Sequence, residues 1–150
     1  MDFEPTDDQV ALQTELRRFL AERIDHDARR AIAEMPGAVD RDLWRELGGM
    51  GVFSLTLPES AGGVGLGFAE ATLVFEELGR AAVPGPLVGT FLAAGLDVDL
   101  AASAAAGEAT VGLCPVGEPA FVEHLPALDA LLVVDEGGGA LAEPPAGAPP

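Results

Sequence analysis

Leu12, Leu16, Phe19 and Leu20 recur at the spacing of one helical face, with Arg17, Arg18 and Glu22 on the other faces. This pattern predicts a first helix from about Asp7 to about Asp25. Thr6 and Gln9 flank its start as a capping box: the hydroxyl can accept from the Gln9 amide while the Gln9 side chain reaches back. Asp7 and Asp8 suit the positive end of the helix dipole. Pro36-Gly37 breaks the chain. Asp40 is a second candidate N-cap, ahead of a helix whose apolar face is Leu43, Trp44 and Leu47 and which Gly48, Gly49 and Gly51 end. Val52 to Leu57 reads as a short extended segment, closed by Pro58.

The run Gly62-Gly63-Val64-Gly65-Leu66-Gly67 is too rich in glycine to be helical. A third helix is predicted from Phe68 to Leu78, with Phe68, Ala71, Val74, Phe75 and Leu78 on one side and Glu76, Glu77 and Arg80 off that stripe. Pro84-Gly85-Pro86 forces a turn. Pro86 suits the first position of a fourth helix ending near Gly95. A weaker, alanine-rich helix runs from Asp97 to Ala106, stopped by Gly107. From there the character changes. Thr110 to Leu113 and Ala130 to Val134 have strand-like content, whereas Gly137-Gly138-Gly139 and the tail from Pro144 to Pro150 read as punctuation or disorder. A pair of short strands does not make a stable sheet alone. The expected fold class is therefore mainly α: a helical domain over 1–108, then the start of a β domain over 109–150 that further sequence or a partner completes.

Composition narrows the partners. The chain has 150 residues and a formal charge of −17 with only eight Lys and Arg, so phosphate backbones and anionic membrane surfaces are repelled. Neither nucleic acid nor membrane is an expected partner. Coenzyme A is also polyanionic, and binding it requires local donors or another part of the protein. Cys114 is the only cysteine, which excludes an internal disulfide and fits a reducing cytoplasm. The start Met1-Asp2-Phe3-Glu4 lacks a signal peptide's basic and apolar regions, and the apolar stretch Pro86 to Leu96 is too short to span a bilayer. The expected setting is the cytoplasm.

Isolated chemical signals are weak. Gly63 and Gly65 match the first glycines of G-x-G-x-x-G, but Phe68 takes the third position and no βαβ unit surrounds it. A tight loop that lets two backbones approach closely accounts for the glycines better. His26, between Asp25 and Asp27, suits a solvated or capping role, and neither it, His124 nor Cys114 has a partner at metal-ligand spacing. Cys114 reads as a small buried hydrophobe, because nothing identifies a base beside it. Glu76 and Glu77 point in different directions on their helix, with a solvated face or an ion pair to Arg80 as the default.

The order of segments from Phe3 to Leu92 is more specific than any of these. Asp8-Gln9 through Leu16-Arg17-Arg18-Phe19-Leu20, then Leu43-Trp44-Arg45-Glu46-Leu47-Gly48 with Met50-Gly51-Val52, then Leu57-Pro58-Glu59-Ser60-Ala61-Gly62-Gly63-Val64-Gly65, then Phe75-Glu76-Glu77-Leu78-Gly79-Arg80 occur in sequence. Together they resemble the N-terminal domain of acyl-CoA dehydrogenases, including the P-E-x-x-G-G-x-G loop and the E-E-L-G-R helix. The resemblance implies a helical N-terminal domain, a middle β domain and a C-terminal helical bundle. It implies FAD as cofactor and oxidation of the Cα–Cβ bond of an acyl-CoA thioester. The family's catalytic base belongs to the C-terminal domain, so no residue here inherits that role. Leu87, Thr90 and Phe91, after the E-E-L-G-R segment, are the implied acyl-chain contacts. Their apolar spacing is equally that of ordinary core.

Leu113, Cys114 and Glu118 fall where the family's flavin-binding strand runs and are the implied cofactor contacts. Here Glu118-Pro119 keeps a trace of the family's T-E-P, but Gly117 replaces the threonine, and the following G-S-D loop and hairpin are not recognisable. In this the chain is similar to shortened subunits of heteromeric acyl-CoA dehydrogenases that act on bulky substrates. The implied partners are an acyl-CoA and either another acyl-CoA dehydrogenase-like subunit or a C-terminal domain of the protein itself. The alternative is a non-catalytic structural subunit of a heteromeric flavoprotein, without its own flavin.

Overall fold

A computed structural model describes residues 4–117 and 121–146. Its helices are α1 (Asp7–Arg23), α2 (His26–Ala33), α3 (Arg41–Gly49), α4 (Phe68–Arg80), α5 (Leu87–Ala94) and α6 (Ala101–Ala105), and its strands are β1 (Val111–Pro115), β2 (Ala130–Asp135) and β3 (Gly138–Ala142). The mainly helical class with a small β portion is the observed one.

The capping signals act as their chemistry requires. Thr6 and Gln9 close both hydrogen bonds of the capping box, and the Asp40 carboxylate accepts from the amides of Asp42 and Leu43. Asp25 does more than end the first helix. Its carboxylate accepts from Ala28 N at 2.8 Å and opens α2, which the apolar pattern did not predict. The reason is that α2 buries only Ile32, too few positions to show a periodicity. His26 is thus the first residue of α2.

The expected extended segment after α3 is instead a series of turns. Ser54 N donates to Gly51 O at 3.1 Å and Leu57 N to Ser54 O at 3.2 Å. Val52, Phe53, Ser54 and Leu55 are all buried, so the alternation of a half-buried strand is absent. The glycine loop folds back on these turns through Val64 N to Ser54 O (3.1 Å) and Leu66 N to Leu55 O (2.8 Å). A Cβ on Gly63 would lie 2.2 Å from Leu57 O, which is the close backbone approach that the glycine permits.

The first core joins α1 to α4. Leu16, Leu20, Ile24, Ile32, Leu43, Trp44, Leu47, Phe53, Val74 and Leu78 share one buried cluster. Trp44 is its centre: its ring stacks at 4.9 Å on Phe53, and its indole N–H donates to Ala109 O at 3.3 Å. Glu77 is the unexpected member. Its side chain is 1% exposed, and it accepts from Arg17 through both oxygens (2.6 and 2.9 Å), while Arg80 stands 3.6 Å away. Those hydrogen bonds from Arg17 outweigh the cost of burial and hold the carboxyl below its ordinary range. The default pairing with Arg80 belongs chiefly to Glu76, at 3.0 Å on the exposed side of α4.

A smaller core lies between α5, α6 and the sheet, built from Ala93, Ala94, Ala104, Val111, Ala130 and Leu132. The sheet order is β1-β2-β3; β1 is parallel to β2 (Val111 opposite Ala130) and β2 antiparallel to β3 (Leu131 opposite Ala142). Of the glycines read as punctuation, Gly137 lies in the turn while Gly138 and Gly139 begin a third strand, and β2 and β3 form a hairpin. Gly138 to Ala142 carries no β-branched residue; pairing with β2 supplies what local propensity does not. Asp129 ties this region to the helices. It accepts from Arg41 at 2.6 Å and from Thr110 N at 2.8 Å, while the Thr110 hydroxyl donates to Ala127 O. Burial pushes the Asp129 carboxyl upward, but Arg41 and the Thr110 amide outweigh it and leave it lowered. Beside this contact, the His124 ring nitrogen Nδ1 lies 2.7 Å from Gly37 O.

Candidate functional site

The helix α5 belongs to both cores, with Phe91 in the first and Ala93 and Ala94 in the second. Its approach to β1 is close because residue 89 is glycine: a Cβ there would stand 2.2 Å from Val111 O. Thr90 fixes the same contact. Its side chain is fully buried, and its Oγ1 accepts from Val111 N at 3.0 Å.

That bond also determines what β1 presents outward. Val111 N points to α5, whereas Val116 N bonds Val134 O of β2 at 2.9 Å. Backbone amides alternate along a strand. The Leu113 amide therefore faces away from β2, on the same edge as that of Val111. Pro115 occupies the next outward position, where an edge strand needs no donor.

Around this edge are two neighbouring hollows that share Phe75 and Val88. The first, about 380 Å³, is lined by Phe75, Leu87, Val88, Gly89, Gly112, Leu113 and the segment Phe121 to His124. The second is an open trough of about 540 Å³ between α4 and α5, lined by Phe68, Ala71, Thr72, Phe75, Glu76, Val88, Phe91 and Leu92. Phe75 packs edge-on against Phe91 at 5.2 Å, forming the floor where the hollows meet. The first hollow carries polar groups, Glu123, His124 and the edge of β1, and the trough is apolar except for Thr72 and Glu76.

The sequence-predicted residues divide between these surfaces. Leu87 lines the first hollow and Phe91 the trough, but Thr90 lines neither, because its hydroxyl is held inward by Val111 N. Leu113 lines the first hollow. Cys114 is half-buried, with its sulfur 3.6 Å from Pro115 O, rather than fully buried as expected. Glu118, with Pro119, lies outside the described residues. Sequence reasoning missed Val88 and the exposed half of the α4 stripe: Phe68, placed on the apolar side of the helix, is 72% exposed and lines the trough. The signal was the width of the apolar stripe, which exceeds what one packing partner covers.

These residues do not fit a complete FAD site. The outward amide of Leu113 suits the polar edge of a flavin ring. A pyrophosphate requires cationic side chains or a cluster of amides, and among the described residues no Arg or Lys lines either hollow. Arg17, Arg29 and Arg80 surround a separate hollow, where Arg17 donates to Glu77, Arg29 to Ala81 O and Arg80 to Glu76. Among the described residues no three His, Cys, Asp or Glu could hold a metal, and no helix is long and apolar enough to cross a membrane.

Residues 6–108 match the family model for the acyl-CoA dehydrogenase N-terminal domain. The chain belongs to the acyl-CoA dehydrogenase family. It is 42% identical over 80 residues to benzylmalonyl-CoA dehydrogenase of Aromatoleum aromaticum, a match covering 53% of this chain and 21% of that one. Among solved structures, a Tcur3481–Tcur3483 steroid acyl-CoA dehydrogenase variant superposes with a TM-score of 0.70 at 26% identity, covering 90% of this chain and 47% of the other. The ChsE4–ChsE5 complex of Mycobacterium tuberculosis shares the fold with a TM-score of 0.74 at 24% identity, over 94% and 48%. The FAD complex of PigA shares it at a TM-score of 0.69 and 17% identity, over 95% and 49%. The chain thus spans about half of the solved chains and about a fifth of the curated relative.

Proposed function

We propose that this chain forms the helical wall of the acyl-binding site in an FAD-dependent acyl-CoA dehydrogenase that oxidises the α,β bond of an acyl-CoA thioester. The observation that carries the reading is the largely apolar trough between α4 and α5, which adjoins the polar hollow at the edge of β1. An acyl-CoA has the matching polarity, with a hydrocarbon tail and a polar thioester head. Leu87 and Phe91 contact the tail, and Thr90 positions α5 against β1. The base comes from another subunit or a further domain, as the family resemblance implies, and so do the contacts to the flavin pyrophosphate, because no Arg or Lys is among the described lining residues. The steroid dehydrogenase relative carries a two-part name, which supports a heteromeric setting and a bulky acyl group. The proposed cytoplasmic setting rests on the single cysteine.

Co-purification from the native source tests the reading. The complex should show flavin absorbance and reduce an artificial electron acceptor when supplied with acyl-CoA; an assembled complex with neither property refutes it. The lack of cations among the described lining residues favours one rival, a non-catalytic packing subunit without flavin. A partner that keeps full flavin content and activity after this chain is removed would establish that rival.

A further inference from the structure

Phe75 and Val88 line both hollows, so these two side chains stand at the boundary between the β1 edge and the α4/α5 trough. They differ in freedom. Phe75 is held by its edge-on contact with Phe91 at 5.2 Å, whereas Val88 is 48% exposed on the outer side of α5. Its neighbour Gly89 sits within backbone contact of β1, and Thr90 accepts from Val111 N, so α5 is held against β1. Of the two boundary side chains, Phe75 packs against the core, so residue 88 is the one whose size can change without disturbing it.

We infer that Val88 is a specificity-determining residue, a gate that sets how bulky an acyl group can pass from the β1 edge into the trough. This rests on the acyl-wall reading above. A short acyl group ends before the gate, with its thioester at the polar hollow. A long or polycyclic group must cross it to reach Phe68, Ala71 and Leu92. Valine leaves the passage open and phenylalanine closes it, while alanine widens it further. Because Val88 is exposed, these changes leave the core intact.

The test uses the complex purified with this chain, and the probes are butyryl-CoA, lauroyl-CoA and a CoA thioester of a steroid side-chain acid. Val88→Phe should lower kcat/KM for the two larger substrates relative to butyryl-CoA by about tenfold or more, the range that a few methylene-sized clashes produce. Val88→Ala should shift the same ratio the other way or leave it at the wild-type value. If the wild-type complex oxidises acyl-CoA but Val88→Phe leaves the ratio unchanged, or lowers all three substrates equally, the gate is refuted and the acyl-wall reading stands. A wild-type complex that oxidises none of the three refutes both.

Discussion

Gly89→Ala and Gly79→Ala are the same substitution on neighbouring helices, and the structure assigns them opposite signs. In α4 a Cβ at position 79 meets no heavy atom within 4 Å. Alanine there gains helix propensity and should stabilise by up to about 1 kcal/mol. In α5 the same propensity gain applies, but the new Cβ would lie 2.2 Å from Val111 O, 2.8 Å from Gly112 C and 3.0 Å from Leu113 N. Ordinary contact begins at 3.4 Å, so α5 must retreat from β1 by about 1 Å. That retreat stretches the 3.0 Å bond from Val111 N to Thr90 Oγ1 past useful length. Overpacking costs about 1–3 kcal/mol and the lost bond about 1 kcal/mol, against about 1 kcal/mol regained from propensity. The net is a destabilisation of about 2 kcal/mol, or a fall in Tm of about 4–8 °C for a chain of this size. Thermal and urea unfolding of the two variants beside wild type measure it directly. If Gly89→Ala were as stable as Gly79→Ala, the rigid contact between α5 and β1, and with it the fixed position of Val88, would be wrong.

Glu77→Gln should destabilise by about 1–3 kcal/mol, because a buried charged acceptor is replaced by a neutral one. The same variant should change the acid limb of stability. The Glu77 carboxyl is lowered from its ordinary 4.5 in the folded chain, so its contribution is complete above that value and is lost as pH falls through the lower folded value. Urea midpoints of wild type should therefore drop more steeply below pH 4.5 than those of the variant; parallel curves would contradict the pairing. Trp44, the one tryptophan, should emit in the blue when folded and shift red on unfolding, and Trp44→Ala should cost about 3–5 kcal/mol by denaturant titration. Asp129→Ala removes the acceptor for Arg41 and Thr110 N, so the Thr110 amide should lose hydrogen-exchange protection while amides within α1 keep theirs.

By itself the sequence determined the elements whose signals are local. Thr6, Asp40, Gly63 and the turn at Pro84-Gly85-Pro86 act through bonds and dihedrals of their immediate neighbours, so their roles could be read from residue type. The ordered segments of the helical domain identified the family for the same reason: each is a contiguous stretch. Only the tertiary structure decided the rest. The helix α2 buries a single isoleucine and β3 is largely glycine and alanine, so each depends on a partner distant in sequence. Glu77 and Arg17 are 60 residues apart, and nothing local distinguishes Glu77 from Glu76. The candidate site shows the same division. Leu87 and Phe91 were legible as apolar residues of one helix. That Phe68 stays exposed and that Val88 borders two hollows is seen only in the folded chain, and that Thr90 turns inward follows from how closely α5 can approach β1. That distance is set by a missing side chain at Gly89, and only the folded chain shows what the missing side chain would have met.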